Sequence, residues 1–372
     1  MERLDNHNVI CPICHYQRKM TDVNPEWECP RCLVAYNKAV KMNKNDGDES
    51  LSAPWKQGKV KGWKYGPAFV GFGLILIALL INYQYVIKES PSKDIDAPES
   101  LLSQPGNQSI QSKTIHSKCG SRLCVEVKTR ENGLIYYCKN RKSYPITVYF
   151  VFKGNNVDFY PGESVIQTIP PDMPAQIATA GIIDPKGKYH WNYHYRYRYG
   201  DMNAPPDQTV IYRLPYPIGS SYKVVQSHNG SFTHHKIYNR YAIDFNMPVG
   251  TPICAARNGY VALIRQDSDR GGNDQTYIPD GNLVVIVHDD GTVARYLHLQ
   301  KNGAVVHEGD YVKQGQVIAY SGNTGYTRGA HLHFSVVKPN GNDENVSLPV
   351  SFETNHGVIS FLEKNKIYTA VE

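Results

Sequence analysis

Every second residue from 189 to 199 is aromatic. Tyr189, Trp191, Tyr193, Tyr195, Tyr197 and Tyr199 alternate with a polar row that includes His190, His194, Arg196 and Arg198. A period of two is the period of a strand, where successive side chains point to opposite faces. The aromatic row is expected to face a core and the polar row to face solvent, as on a half-exposed antiparallel sheet. His190 and His194 are therefore read as the outer row of a strand rather than as ligands. Residues 125–128 and 134–137 flank Asn132-Gly133, a hairpin signal, and 144–153 adds a further strand. With 27 tyrosines in 372 residues, β-structure is favoured over helical bundles. Residues 119–207 are expected to form a small antiparallel β-sandwich.

The formal charge of +6 is mild. It is compatible with a polyanionic partner without demonstrating one, and no nucleic acid is expected. The 8 cysteines fall on either side of an apolar stretch. Before it stand Cys11, Cys14, Cys29 and Cys32, two C-x-x-C knuckles whose four thiolates can close a tetrahedral structural zinc site of zinc-ribbon type over residues 1–45. So short a segment would depend on the metal to fold. A basic linker, 46–66, carries Lys56, Lys59, Lys61 and Lys64. Residues 67–87 are apolar and would span roughly 30 Å as a helix, about one bilayer core. The lysines upstream place the N-terminus in the cytoplasm. The expectation is a single-pass protein of the bacterial inner membrane, with the later regions periplasmic and the inner membrane as a partner. A cytoplasmic partner for the ribbon is left open. Residues 88–118, rich in Ser, Pro, Gln and Asn, read as a flexible linker. Cys119, Cys124 and Cys138 follow the apolar stretch, and a disulfide is expected among them with its pairing not readable. Cys254, in an apolar run, reads as a buried thiol.

Residues 322–334, GNTGYTRGAHLHF, place two histidines one residue apart at the start of an apolar run. On a strand His331 and His333 project together, with Leu332 on the other face. One can hold a metal while the other stays free for proton transfer. The glycines before them suit a backbone that passes close to a ligand. Hydrolysis at a zinc ion needs three protein ligands with one position left for water, whose pKa then falls to near neutral, and a neutral imidazole nearby to move the proton.

Other short motifs precede this one in order: Ser231 to His235, Tyr241 to Phe245, Ala255-Ala256-Arg257-Asn258-Gly259, Asn282 to His288, Tyr296-Leu297-His298-Leu299 and Glu308-Gly309-Asp310. Over about residues 212–337 the series closely resembles the lysostaphin/LytM family of zinc metallopeptidases, which cut peptide cross-links in bacterial peptidoglycan. The resemblance implies an antiparallel β peptidase domain at 208–345, followed by a C-terminal tail at 346–372. The expected fold class is thus mainly β: a peptidase domain of that type preceded by a β-sandwich, a transmembrane helix and a zinc ribbon. It implies one catalytic zinc held by His235, Asp244 and His333, His331 as general base, and His298 as a second pocket histidine that orients water or stabilises an oxyanion. In many relatives the first histidine stands four residues before the aspartate. Here that position is Arg240, so the ligand comes from the preceding loop, as His235 or alternatively His234. His288, at a strand end, is read as structural. Tyr326, Tyr277 and Asn323 are expected to contact peptidoglycan stem peptides, and residues 265–281 and 322–330 to wall the groove. The implied activity is a zinc metalloendopeptidase. The alternative is a non-catalytic relative that binds and activates cell-wall amidases, which a complete ligand set argues against.

Overall fold

The structure is a computed structural model. It describes residues 95–96, 112–131, 133–204 and 209–372, all within the second of two compact units, Leu74–Glu372. The zinc-ribbon cysteines and the apolar residues 67–87 lie outside the described residues. Among the described residues no helix is long and apolar enough to cross a membrane. The expected single-pass inner-membrane location is accordingly corrected: the anchor it required has no support in the structure.

The described chain is mainly β and its sheets are almost entirely antiparallel. A five-stranded sheet runs in the spatial order Thr114–Cys119, Leu123–Arg130, Gly133–Asn140, Pro174–Ile182, Val157–Tyr160. A four-stranded sheet carries His190–Tyr199 and Ile146–Asn155 at its centre. The two sheets meet through aromatic rings, with Tyr136 lying 5.0 Å from Phe152 and 5.8 Å from Trp191, centroid to centroid, edge to face. Trp191, Tyr193, Tyr195 and Tyr197 are all buried, while His194 and Arg196 are exposed. The alternation read from the sequence is thus the alternation of the strand. Arg198 departs from it. It is buried because Asp343 of the following region takes its guanidinium, with Oδ1 at 3.4 Å from Nε, and the Asp343 carbonyl accepts from Nη2 at 2.6 Å.

The hairpin closes one residue earlier than Asn132-Gly133 suggests. Arg130 pairs with Gly133, so Cys138 faces Val125 rather than Val127. Gly133 sits at φ +154°, and a β-carbon there would lie 1.8 Å from the Ala180 carbonyl oxygen. Only glycine permits that approach. The disulfide joins Cys119 to Cys124, directly opposite each other in adjacent strands, and Cys138 and Cys254 are buried.

The third sheet runs Tyr311–Val312, Gly259–Arg265, Asn282–Val287, Val293–Ala304, His331–Pro339, Ile243–Asn246, Ser221–Gln226, Ile367–Thr369. The strand Asn282–Val287, apolar from Leu283 onward, lies near its middle and is buried at every residue, as expected of a strand covered on both faces. Val284 and Ile286 pack into one core with Tyr296, Phe334 and Phe352. Leu283, Val285 and Val287 pack into the other, together with Val293, Val337 and the sandwich aromatics. The sandwich is therefore not a separately cored module, because its aromatic core continues onto one face of this sheet. Arg122 to Glu308 at 3.0 Å and Tyr149 Oη to the Asn340 carbonyl at 2.7 Å tie the edges of that contact.

Residues 346–372 are not a loose tail. Asn345–Leu348 pairs with His331–Pro339, Ser351–Thr354 pairs in parallel with Ile211–Arg213, and Ile367–Thr369 closes the sheet edge beside Ser221–Gln226. Phe352, Leu362 and Tyr368 are buried.

Candidate metal centre

Asp244 and His333 stand directly opposite in adjacent antiparallel strands, and Leu297 faces His333 from the other side. Opposed residues in an antiparallel pair project to one face, so Asp244, His333 and Leu297 share the face that carries Val293 and Val337. His333 lies four residues from Val337, roughly 13 Å along the strand. The sandwich covers one end of this face and the polar cluster occupies the other.

His234, Asp244 and His333 present ligand atoms to a common point, and all three are buried. His234 Nε2 lies 3.2 Å from Asp244 Oδ1, His333 Nδ1 lies 2.9 Å from the same oxygen, and the two nitrogens are 3.3 Å apart. A tetrahedral zinc ion with bonds of about 2.0–2.1 Å spaces its ligands by about 3.3–3.4 Å, so the residues present fit that ion. The donor chemistry agrees. His234 Nδ1 lies 3.0 Å from the Ser227 carbonyl oxygen. A carbonyl can only accept, so Nδ1 carries the hydrogen and Nε2 turns a lone pair toward the carboxylate. A lone pair facing a carboxylate at that distance calls for a cation between them.

The histidine that joins the cluster is His234, not the favoured His235, which is exposed on the groove wall. The two differ only in which way the turn-rich segment after Ser227 directs them. The Ser227 carbonyl selects His234, and nothing in residue spacing reveals that selection. Sequence reading also missed Gln226, whose Nε2 donates to the second Asp244 oxygen at 3.0 Å and to the Thr233 hydroxyl at 2.8 Å. Burial pushes Asp244 up, but the surrounding imidazoles, His234 first, hold it well below the usual carboxylate range. Burial lowers His333 to about 4.

His331 stands at the edge of this triangle, its Nε2 3.9 Å from Asp244 Oδ1. Its Nδ1 donates to the Gly329 carbonyl at 2.8 Å, which leaves Nε2 as the basic nitrogen. Thr327, buried, lies 3.2 Å from the same Nδ1. It was not singled out from the sequence. The His298 ring lies tilted against His331 at 4.5 Å between ring centroids and donates from Nδ1 to the Thr324 carbonyl at 2.7 Å. Its neighbour Leu297 already points to the site face, so regular alternation would turn His298 away. His298 instead adopts φ +65°, a left-handed conformation that costs free energy for a residue with a β-carbon, and its ring enters the groove. Burial first, then the two neighbouring imidazoles, holds His298 well below its ordinary value. Gly325, at φ +82°, makes room: a β-carbon there would lie 2.6 Å from Gly281 Cα.

The groove is about 760 Å³ in volume. Arg265, Gln275, Ile278 and Gly281 line it from the 265–281 insertion, and Tyr326, Arg328, Gly329 and Ala330 from the 322–330 loop. The two walls are joined by parallel pairing of Gly271-Gly272 with Gly325-Tyr326. Of the three expected substrate contacts, Tyr326 lines the groove. Asn323 does not; its side-chain oxygen accepts from the Thr327 hydroxyl at 3.1 Å and so braces the loop. Tyr277 is also outside the lining, beneath the Arg270 guanidinium. His288 is buried with Nδ1 2.6 Å from the Asn258 carbonyl, remote from the cluster.

Fold and site together define a β-sheet groove whose end holds a candidate metal cluster with two further imidazoles beside it. Comparison with known proteins narrows the class. Residues 238–347 match the model of Peptidase family M23, so the chain carries a peptidase M23 domain with lysostaphin-type homologues. The matched stretch holds Asp244, His298, His331 and His333 but begins after His234. The chain is 33% identical over 143 residues to the peptidoglycan DD-endopeptidase ShyA of Vibrio cholerae, covering 38% of this chain and 30% of that protein. It is 36% identical over 121 residues to lysostaphin of Staphylococcus simulans, covering 32% of this chain and 19% of that one. The catalytic domain of S. simulans lysostaphin aligns structurally at 26% identity with a TM-score of 0.26, over 35% of this chain and 86% of that domain. The chain spans less than a third of the length of these curated relatives.

Proposed function

We propose that this protein is a zinc metalloendopeptidase that hydrolyses peptide cross-links of bacterial peptidoglycan. The observation that carries the reading is the His234–Asp244–His333 triangle, with the two spare imidazoles of His331 and His298 beside it. The match to Peptidase family M23 and the similarity to ShyA, named as a peptidoglycan DD-endopeptidase, support the substrate class.

His234, Asp244 and His333 would hold the zinc, which when bound supplies Lewis acidity and an acidified water. Gln226 keeps the second Asp244 oxygen occupied, so the carboxylate presents a single oxygen to the cluster. The Gly329 carbonyl keeps the His331 proton on Nδ1, and Nε2 is then free to take a proton during attack and return it to the leaving amine. His298, with Nδ1–H committed to Thr324, offers its own Nε2 at the groove and stays neutral because burial disfavours its charged form. Tyr326 presents a ring to the substrate backbone. A binding-only regulator is not favoured, since the ligand set is whole.

The test is to incubate the zinc-loaded protein with cross-linked sacculi and separate the products. Shorter, less cross-linked muropeptides are expected, with the reaction stopped by chelator and restored by zinc. An unchanged muropeptide profile with zinc present refutes the reading.

A further inference from the structure

The groove has a charge pattern that the hydrolytic chemistry does not use. Its lining contains four permanent cations, Lys236, Arg265, Arg328 and Lys364, and one acid, Asp244, which belongs to the metal cluster. Among the described residues none of the four takes part in an ion pair. Elsewhere Arg122, Arg257, Lys301 and Lys366 each sit within 3.0 Å of a carboxylate. Clustered cations with no counter-charge repel one another, and an anionic ligand relieves that repulsion.

Two of the four are held in place. Arg265 donates from Nε and Nη2 to the Gly281 carbonyl, at 2.9 and 2.5 Å. Gly281 lies against Gly325, next to the Thr324 carbonyl that orients His298. This guanidinium is therefore fixed on the His298 side of the groove with its charge unneutralised. Arg328 lies 3.7 Å above the Phe232 ring and donates from Nε to Asn273 Oδ1 at 3.2 Å. Stacking and that hydrogen bond orient its plane, while its two terminal nitrogens form no protein hydrogen bond. A guanidinium with an oriented, unused fork suits bidentate recognition of a carboxylate.

We infer that the groove selects peptides that carry free carboxylates close to the scissile bond, with Arg328 and Arg265 reading the carboxylate and Lys236 and Lys364 attracting it. This rests on the endopeptidase reading and narrows its substrate to acidic rather than amidated or uncharged cross-links.

The experiment uses the zinc-loaded full chain and two cross-linked peptides identical except that one carries a carboxylate and the other a carboxamide beside the cleaved bond. The corresponding uncross-linked stem peptides are titrated for binding in parallel. The acid form is expected to have a kcat/KM at least about tenfold higher, with a gap that narrows as salt rises. Arg328→Gln, at an exposed position, should bring the ratio close to one, whereas Lys313→Gln, away from the groove, should retain it. Equal cleavage of acid and amide overturns the inference and leaves the endopeptidase reading standing. If neither peptide is cleaved, but the acid stem binds more tightly and Arg328→Gln abolishes the difference, the inference stands and the endopeptidase reading falls. Absence of both cleavage and acid-selective binding defeats both.

Discussion

One face of the central sheet has two ends with different fates. Along Val293–Ala304 and His331–Pro339, Val293 and Val337 are sealed beneath the sandwich aromatics, whereas His333, beside Leu297 at the margin of that same core, lines the groove. The strands, the register and the side of the sheet are the same. The difference is only what covers each end: a second sheet supplies rings to one, and loops leave the other with a groove. The comparison teaches that period-two alternation serves packing and chemistry alike, and that the cover decides which of them a given residue performs.

The comparison can be broken most sharply at the open end. Asp244→Asn keeps size and burial but removes the charge that would hold the metal. It should lower kcat/KM by about a thousandfold or more, an effect of about 4 kcal/mol on the transition state, and remove bound zinc by elemental analysis while the melting temperature of the metal-free protein changes little. Retention of zinc and activity would remove Asp244 from the ligand set. At the sealed end the balance should reverse. Val287→Ala, opposite Val293, leaves a cavity between sandwich and sheet and should destabilise by about 2–3 kcal/mol in denaturant titrations, with turnover per folded molecule kept within about twofold, well short of the tenfold that 1.4 kcal/mol on the barrier would bring. A large loss of turnover at unchanged stability would mean that the two ends are not separable.

A smaller effect comes from comparing two buried histidines. His333 sits among metal-binding groups. His288, at the other end of the Asn282–Val287 strand, donates to a backbone carbonyl and is lowered to about 4 by burial. A histidine kept neutral in the fold and free to protonate at about 6.5 when unfolded contributes stability that is whole above pH 6.5 and is lost as pH falls toward 4. The contribution is on the order of 3 kcal/mol for such a shift. Between those pH values the unfolded chain binds more protons, so stability rises with pH. His288→Gln should flatten that slope by one proton in melts across pH 4 to 6.5, without altering metal content. Identical slopes would show that His288 does not titrate on unfolding.

Much of the fold was legible because alternation and apolar runs are local. The aromatic row ending at Tyr199 read directly as a strand, and Asn282 to His288 read as one of the ordered motifs. Its burial on two sides was not foreseen, since the partner strands come from sequence about 100 residues upstream. The C-terminal residues carried too little pattern to show that they would complete the sheet. In the site, Asp244, His298, His331 and His333 were identified through ordered motifs, and the structure brings them together. The choice of His234 over His235 was not legible, because it depends on a carbonyl seven residues upstream. Nor was the bracing role of Asn323, which depends on a single hydroxyl.

By itself the sequence determined that this protein would be β-rich, which residue types could hold a metal, and which strand would present them. Those properties follow from side-chain chemistry and from the two-residue period of an extended backbone. Only the tertiary structure decided which of two adjacent histidines turns inward, which nitrogen of each ring is left basic, and that the sandwich shares a core with the metal-bearing sheet. Each of these depends on where distant carbonyls and rings arrive, and that position is a property of the packed chain rather than of any segment within it.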